Sequence, residues 1–255
     1  MNDFTPSYYR EIIKAFTLSG YKPVTVKEYF NNAPDKCVII RLVVVRLPLM
    51  ALNIAKIEFG MNIKSTFYFR IKRSVFKENI LNEIKGMGHE IGYHYNDYAS
   101  SFGRRKKAIN SFKANLEMLR RIYPVETICM HGSPLTPWNN LDMWLDREYA
   151  GFGITAELNK DINYDSVFYL TDNGLGWNQF NTSLRDKVNS KYDIAIGKDM
   201  SLTDLIKTDK LPPVVLLNSH PDNYYNPGVK RYIFHLNIKT KNAVKWVLIK
   251  SRLVK

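Results

Sequence analysis

Ser65 to His94 read STFYFRIKRSVFKENILNEIKGMGHEIGYH, three short texts of different period joined end to end. Ser65–Phe69 is a compact apolar and aromatic run, the pattern of a strand buried on both faces. Val75–Met87 sets Phe76, Ile80 and Ile84 on one helical stripe. His89–His94 is strand-like again. A strand, a helix and a second strand make the unit that joins neighbouring parallel strands through a right-handed crossover.

The same alternation continues in both directions. Upstream, Tyr8–Leu18 predicts a helix stopped near Gly20, and Cys37–Val45 is a β-branched run typical of a fully buried strand. Met50–Phe59 carries Ala51, Ile54, Ala55 and Ile57 at helical spacing and ends at Gly60. Downstream, Lys106–Ile122 is the clearest helix, with Phe112, Leu116, Leu119 and Ile122 on one face and Pro124 beyond its end. Thr127–Met130, Phe152–Ala156, Val167–Leu170, Ile194–Ile196 and Val214–Asn218 are expected strands. Helices are expected over Leu202–Lys207 and Thr240–Lys250. No Gly/Ser/Pro-rich linker and no internal repeat interrupts the 255 residues, so residues 1–255 are expected to form one α/β domain around a parallel sheet, closed as a barrel or left open.

Composition excludes several classes. With 45% hydrophobic and 24% charged residues, the chain has the balance of a globular protein rather than a disordered one. Cys37 and Cys129 each sit inside an apolar run, which argues for small buried residues and against a disulfide framework. The N-terminal MNDFTPSYYREIIKAF lacks the basic-then-apolar order of a secretory signal, and Arg41 and Arg46 interrupt the most apolar stretch, Val38–Ala55. A cytoplasmic location without a transmembrane segment is the expectation. The formal charge of +13 is dispersed along the chain, with short clusters at residues 104–107 and after Lys239, and no nucleic-acid motif accompanies it. Specific nucleic-acid binding is therefore not expected, and the sequence says nothing about oligomeric state.

Parallel α/β folds place their chemistry at the C-terminal ends of strands. His94, His131 and His220 each close an apolar run, and Asp172 follows VFYL-Thr. Neutral imidazole is a common ligand for zinc and similar metals, so three histidines at strand ends weigh more than three scattered ones. His94 has Asp97 three residues on. His89 and His235 rank lower.

The order VIIR, GMNIKSTFYF, IKGMGHEIGYH, ICMHGSP and LLNSHP resembles the polysaccharide deacetylase-like proteins of the NodB homology, carbohydrate esterase 4-related family, in a divergent branch marked by GHEIGYH and HGSP. The resemblance covers most of the chain from about Tyr8 onward, and Gly88–His94 is its most specific segment. It implies a distorted (β/α)7 barrel of the NodB deacetylase type that hydrolyses N-acetyl groups on a sugar. In that chemistry a divalent metal, zinc foremost, polarises the amide carbonyl and activates water. One aspartate is the base, a second ligates the metal, and a late-strand histidine protonates the leaving amine. Carried over by position, His94 is a metal ligand, His220 the catalytic acid, and His131 a metal ligand or a group that orients substrate. Asp172, Trp177 and Arg185 line the substrate cleft. The implied partner is an N-acetylated sugar, a glycan or a nucleotide-sugar.

The first motif departs from that pattern. The branch is expected to read Arg-His-Asp-Val-Asp-Arg before Leu-Pro, and this chain reads Arg41-Leu42-Val43-Val44-Val45-Arg46-Leu47-Pro48. Leu42, Val43 and Val45 thus stand at lost catalytic positions. Valine has no lone pair for a metal and accepts no proton from water. Loss of a general base alone costs roughly 10²- to 10⁴-fold in rate. The resemblance therefore implies weak or absent deacetylation. The competing expectation is a non-catalytic carbohydrate- or nucleotide-sugar-binding protein, in which Tyr93, Tyr95, Trp138, Trp177 or Tyr224 stack on sugar rings.

Overall fold

The computed structural model describes residues 4–134, 136–173, 175–178 and 200–226, with scattered positions over 188–197 and 228–240. Arg185, His235, residue 195 of the strand expected at 194–196 and nearly all of the helix expected over 240–250 lie outside the described residues.

Helix α1 (Pro6–Leu18) starts at a proline, which needs no backbone donor in the first turn, and Thr5 caps it by accepting from the Tyr8 N–H at 3.1 Å. Strand β1 (Lys22–Val24) leads into α2 (Val26–Asn32), whose start is a capping box between Thr25 and Glu28. Then follow β2 (Cys37–Val44), α3 (Pro48–Phe59), β3 (Thr66–Phe69), α4 (Glu78–Gly86) and β4 (Glu90–Tyr95). The short α5 (Asp97–Ser100) precedes α6 (Arg105–Arg120) and β5 (Thr127–Met130). The chain continues through β6 (Ala156–Glu157), α7 (Leu158–Asp161), β7 (Phe168–Thr171), α8 (Leu202–Lys207) and β8 (Val214–Ser219).

The strands form one sheet in the order β6-β5-β4-β3-β2-β8-β7, and every pairing is parallel. Strand β1 shares one edge of β2 with β3: Lys22–Val24 pair with Cys37–Ile39, and Arg41–Val44 pair with Thr66–Phe69. No ladder joins β6 to β7 among the described residues, so the expected closed ring of seven strands is not reached there. A two-residue β6 offers little edge to close upon.

Two locally expected elements take other forms. Helix α4 begins at Glu78, because Val75 and Phe76 spend their N–H groups on the Lys72 carbonyl in a preceding turn. The strand expected over Phe152–Ala156 is a 3-10 turn, Glu148–Phe152, ended by Gly153 at φ +69°, with β6 starting only at Ala156.

Alternation along β2 sorts its side chains into two layers. Val38, Ile40, Leu42 and Val44 join Phe67, Phe69, Ile91, Tyr93 and Leu217 in the apolar layer that also buries Ile12 and Phe16 of α1, Ile54 of α3 and Phe112 of α6. Cys37 and Ile39 face the other way, with Tyr68, Cys129, Tyr169 and Leu216. The N-terminal end of this inner layer is plugged by the Glu90 carboxylate. It accepts from Thr66 Oγ1 at 2.6 Å, Thr127 Oγ1 at 2.5 Å and the Lys27 N–H of α2 at 3.0 Å. Thr66 Oγ1 in turn accepts from the Val26 N–H at 2.8 Å. The candidate site lies at the opposite, C-terminal side of the strands.

Candidate functional site

Strand direction brings four of the sequence-predicted groups to the C-terminal edge of the sheet. His94 is inward on β4. His131 follows β5, Asp172 follows β7, and His220 follows β8. The His94 and His131 rings lie 5.2 Å apart, centroid to centroid, at 70°. His131 Nδ1 lies 2.9 Å from Ser133 Oγ and accepts from the Ser133 N–H at 3.1 Å; Asn96 Oδ1 is 3.2 Å away. Burial drives the His94 imidazole well below its ordinary range, helped by His131, Arg41 and Arg70. Burial, with Arg70 and His220 nearby, pushes His131 down to about 3. Both rings are neutral at neutral pH.

His220 and Asp172 form a pair built by backbone as much as by side chains. His220 Nδ1 lies 2.7 Å from Asp172 Oδ1, and the His220 N–H donates to both carboxylate oxygens at 3.2 and 3.0 Å. Ser219 Oγ donates to Asp172 Oδ2 at 2.9 Å, and Asn223 Nδ2 donates to the Asp172 carbonyl at 3.0 Å. The carboxylate is fully buried, while the imidazole keeps partial exposure. This arrangement fixes the ring and stabilises an imidazolium, the requirement for an imidazole that gives or takes a proton at Nε2.

Alternation places Leu42, Val43 and Val45 differently. Leu42 lies in the apolar layer beneath the helices. Val43 has the inward parity of Arg41 and Ile39, and Val45 follows at the strand end with the same parity. The Arg41 guanidinium, buried in the inner layer, donates to Cys129 Sγ at 2.6 Å. Its charge also acts on Glu157, whose carboxyl burial raises to about 7 despite accepting from the Met130 and Lys160 N–H groups at 2.9 Å each.

The residues present do not fit a divalent cation. His94 Nδ1 faces the Cys129 carbonyl at 3.1 Å, so it carries the proton and leaves Nε2 with a lone pair. His131 Nδ1 is enclosed by the Ser133 N–H and hydroxyl and by Asn96 Oδ1, so that nitrogen is engaged within the protein. Two imidazoles beside two valines, with no carboxylate among them, are a poor donor set. Among the described residues no group of three or more His, Cys, Asp or Glu side chains is placed to hold a metal.

Several expected aromatic cleft residues lie elsewhere. Trp177 is buried against Phe4 of the N-terminal segment and donates from Nε1 to Tyr8 Oη at 2.9 Å. Tyr93, Tyr95 and Tyr224 are buried in the core. Trp138, half-buried against the exposed Phe102 ring at 5.6 Å, is the one that reaches the surface layer. Sequence reasoning missed Arg70, although it directly follows the strand STFYF and obeys the same strand-end rule that selected the histidines. It missed Asn96 and Ser133 as well, whose polar atoms hold His131.

No protein-family model matches the sequence, and no curated protein matches it. Among solved structures, that of a Streptococcus mutans CE4 esterase aligns with 90% of this chain and 87% of its own, at 14% identity and a TM-score of 0.46.

Proposed function

We propose that the chain is a polysaccharide deacetylase-like protein that holds an N-acetylated sugar, a glycan or a nucleotide-sugar at the C-terminal edge of its sheet, with metal-dependent hydrolysis weak or absent. The single observation that carries the reading is the inward register of β2, which supplies Val43, with Val45 directly after the strand, at the edge where His94, His131 and His220 gather. Elsewhere the edge is equipped for acyl chemistry on a sugar amide. His220, oriented by Asp172, suits protonation of a leaving amine, and His94 and His131, both neutral, suit hydrogen bonding to the acetamido group. A carboxylate base and a Lewis acid are the missing partners, and neither is offered by two valines. The same observation favours the second reading, a non-catalytic carbohydrate-binding protein.

The test is elemental analysis of purified protein as written and of a Val43→Asp/Val45→Asp variant, both equilibrated with zinc. The expected result is metal-free protein as written and near-stoichiometric metal in the folded variant. A folded variant that stays metal-free overturns the family reading of this edge. Robust zinc-dependent deacetylation of N-acetylglucosamine oligomers by the unaltered chain overturns the inactivity.

A further inference from the structure

Beside His94 lies a cavity of about 220 Å³ lined by Arg70, Tyr93, His94, Asn96, Asp97 and Asn115, among others. Its two charged groups are in different states of satisfaction. The Asp97 carboxylate is saturated: it accepts from Tyr93 Oη at 2.6 Å, from Ser111 Oγ at 2.6 Å and from Asn115 Nδ2 at 2.8 Å. Arg70, half-buried just after β3, has no hydrogen bond or ion pair from its guanidinium among the described residues. The Asp97 carboxylate and Tyr93 act on this partly desolvated guanidinium only through space, so its N–H donors stay open to a planar or tetrahedral oxyanion.

Apart from Asp97, whose oxygens are already taken by three donors, the charges nearest the cavity are positive. Arg41 and Arg70 both act on His94, and Arg70 acts on His131. The strand that would bring two carboxylates to this edge brings Val43 and Val45 instead. The Asp172 carboxylate is engaged by His220 and Ser219. At +13 the whole chain also concentrates small anions near its surface.

We propose that the Arg70 cavity is an oxyanion site, taking the carboxylate or phosphate of a small acidic ligand on the Arg70 guanidinium, with the side-chain amides of Asn96 and Asn115 at its wall. The site stands independently of the sugar reading; joined to it, it makes the ligand an acidic sugar or sugar phosphate, with its neutral part toward His94 and His220.

Calorimetric titration with inorganic phosphate and, separately, with acetate distinguishes the two oxyanion sources. The unaltered protein is expected to bind one of them saturably at one equivalent. Arg70→Gln is expected to weaken that binding roughly tenfold or more, the scale of one charge-assisted hydrogen bond, while melting near the unaltered protein. Lys106→Gln/Lys107→Gln, on the exposed face of α6, is expected to leave it unchanged. Equal binding by Arg70→Gln, or an equal loss in the lysine variant, assigns the effect to diffuse charge and overturns the proposal, as does the absence of saturable binding of either anion. If Arg70→Gln fails to fold, the His94 ring resonances of the unaltered protein decide: they move along the same saturation curve if the anion sits in this cavity, and stay still if it does not.

Discussion

At the scale of single residues, the segment Gly88–His94 separates residues that hold the fold from the one that builds the site. Gly88 is left-handed at φ +85°, a conformation that glycine adopts without strain. His89 points away from the site, donating from Nε2 to the Ala55 carbonyl at 3.1 Å and lying 3.7 Å from Glu58. Burial lowers His89 to about 4 and raises Glu58 to about 8, so both are neutral near pH 7 and their contact is not an ion pair. Glu90 plugs the opposite end of the sheet, and of these residues only His94 reaches the edge where His131 and His220 lie. The sequence made His94 legible through its strand-end position, whereas the structural roles of Glu90 and Gly92 were not legible, because their partners lie on α2, β3 and β5. Gly92 is the most constrained of them: a Cβ there would stand 2.3 Å from the Tyr68 ring, which is itself tied to Thr127 by a 2.8 Å hydrogen bond. Gly92→Ala is therefore expected to destabilise the fold by about 1–3 kcal/mol, the usual cost of overpacking. Urea unfolding measures it; a variant as stable as the parent would mean that the Tyr68 ring moves aside freely.

At the scale of elements, β2 carries both the legible and the illegible part of the site. Its burial was readable from an unbroken apolar run, and its alternation assigns Val43 inward and Leu42 outward, with Val45 just past the strand end. What the run could not reveal is that the three altered positions are not equivalent. Metal uptake is expected from Val43→Asp/Val45→Asp with Leu42 left alone. Leu42→His, by itself, is expected to load no metal and to lose about 1–3 kcal/mol by setting an imidazole in the apolar layer. Metal loading that required Leu42→His would contradict the register. The first β-α pair was missed for a different reason: Lys22–Val24 is too short for a periodic signal, and the readable mark of α2 was the Thr25–Glu28 capping box. That cap sets the N-terminus of α2 against Thr66 and Glu90. Thr25→Ala is expected to cost about 1 kcal/mol, visible as a lower urea midpoint with the slope unchanged.

At the scale of the whole molecule, buried ionisable groups on both sides of the sheet set a stability maximum on the acid side of neutrality. Acid acts through the histidines. His89, His131 and His94 are held at about 4, about 3 and well below 6.5 in the folded chain, so as pH falls through 6.5 the unfolded chain takes up protons that the folded chain refuses. Stability is lost toward acid. Base acts through Glu58 and Glu157, raised by burial from 4.5 to about 8 and about 7. Between those limits the folded chain keeps protons that the unfolded chain has released, so stability falls as pH rises through the window and levels off above about 8. Where three histidines and two carboxyls compete, the histidines prevail below roughly pH 6 and the carboxyls above it. The expected profile rises from pH 4 to a crest near pH 6 and then declines by on the order of 1 kcal/mol per pH unit between pH 7 and 8. Glu58→Gln offers one acceptor and one donor to Tyr9 and Ser65, as the protonated carboxyl does, but cannot ionise, so it is expected to flatten the decline above pH 7. Urea midpoints across pH 4–9 for both proteins are the measurement. A parent whose stability climbs from pH 7 to 8, or a Glu58→Gln profile running parallel to the parent, would place the alkaline-sensitive protons on groups other than Glu58.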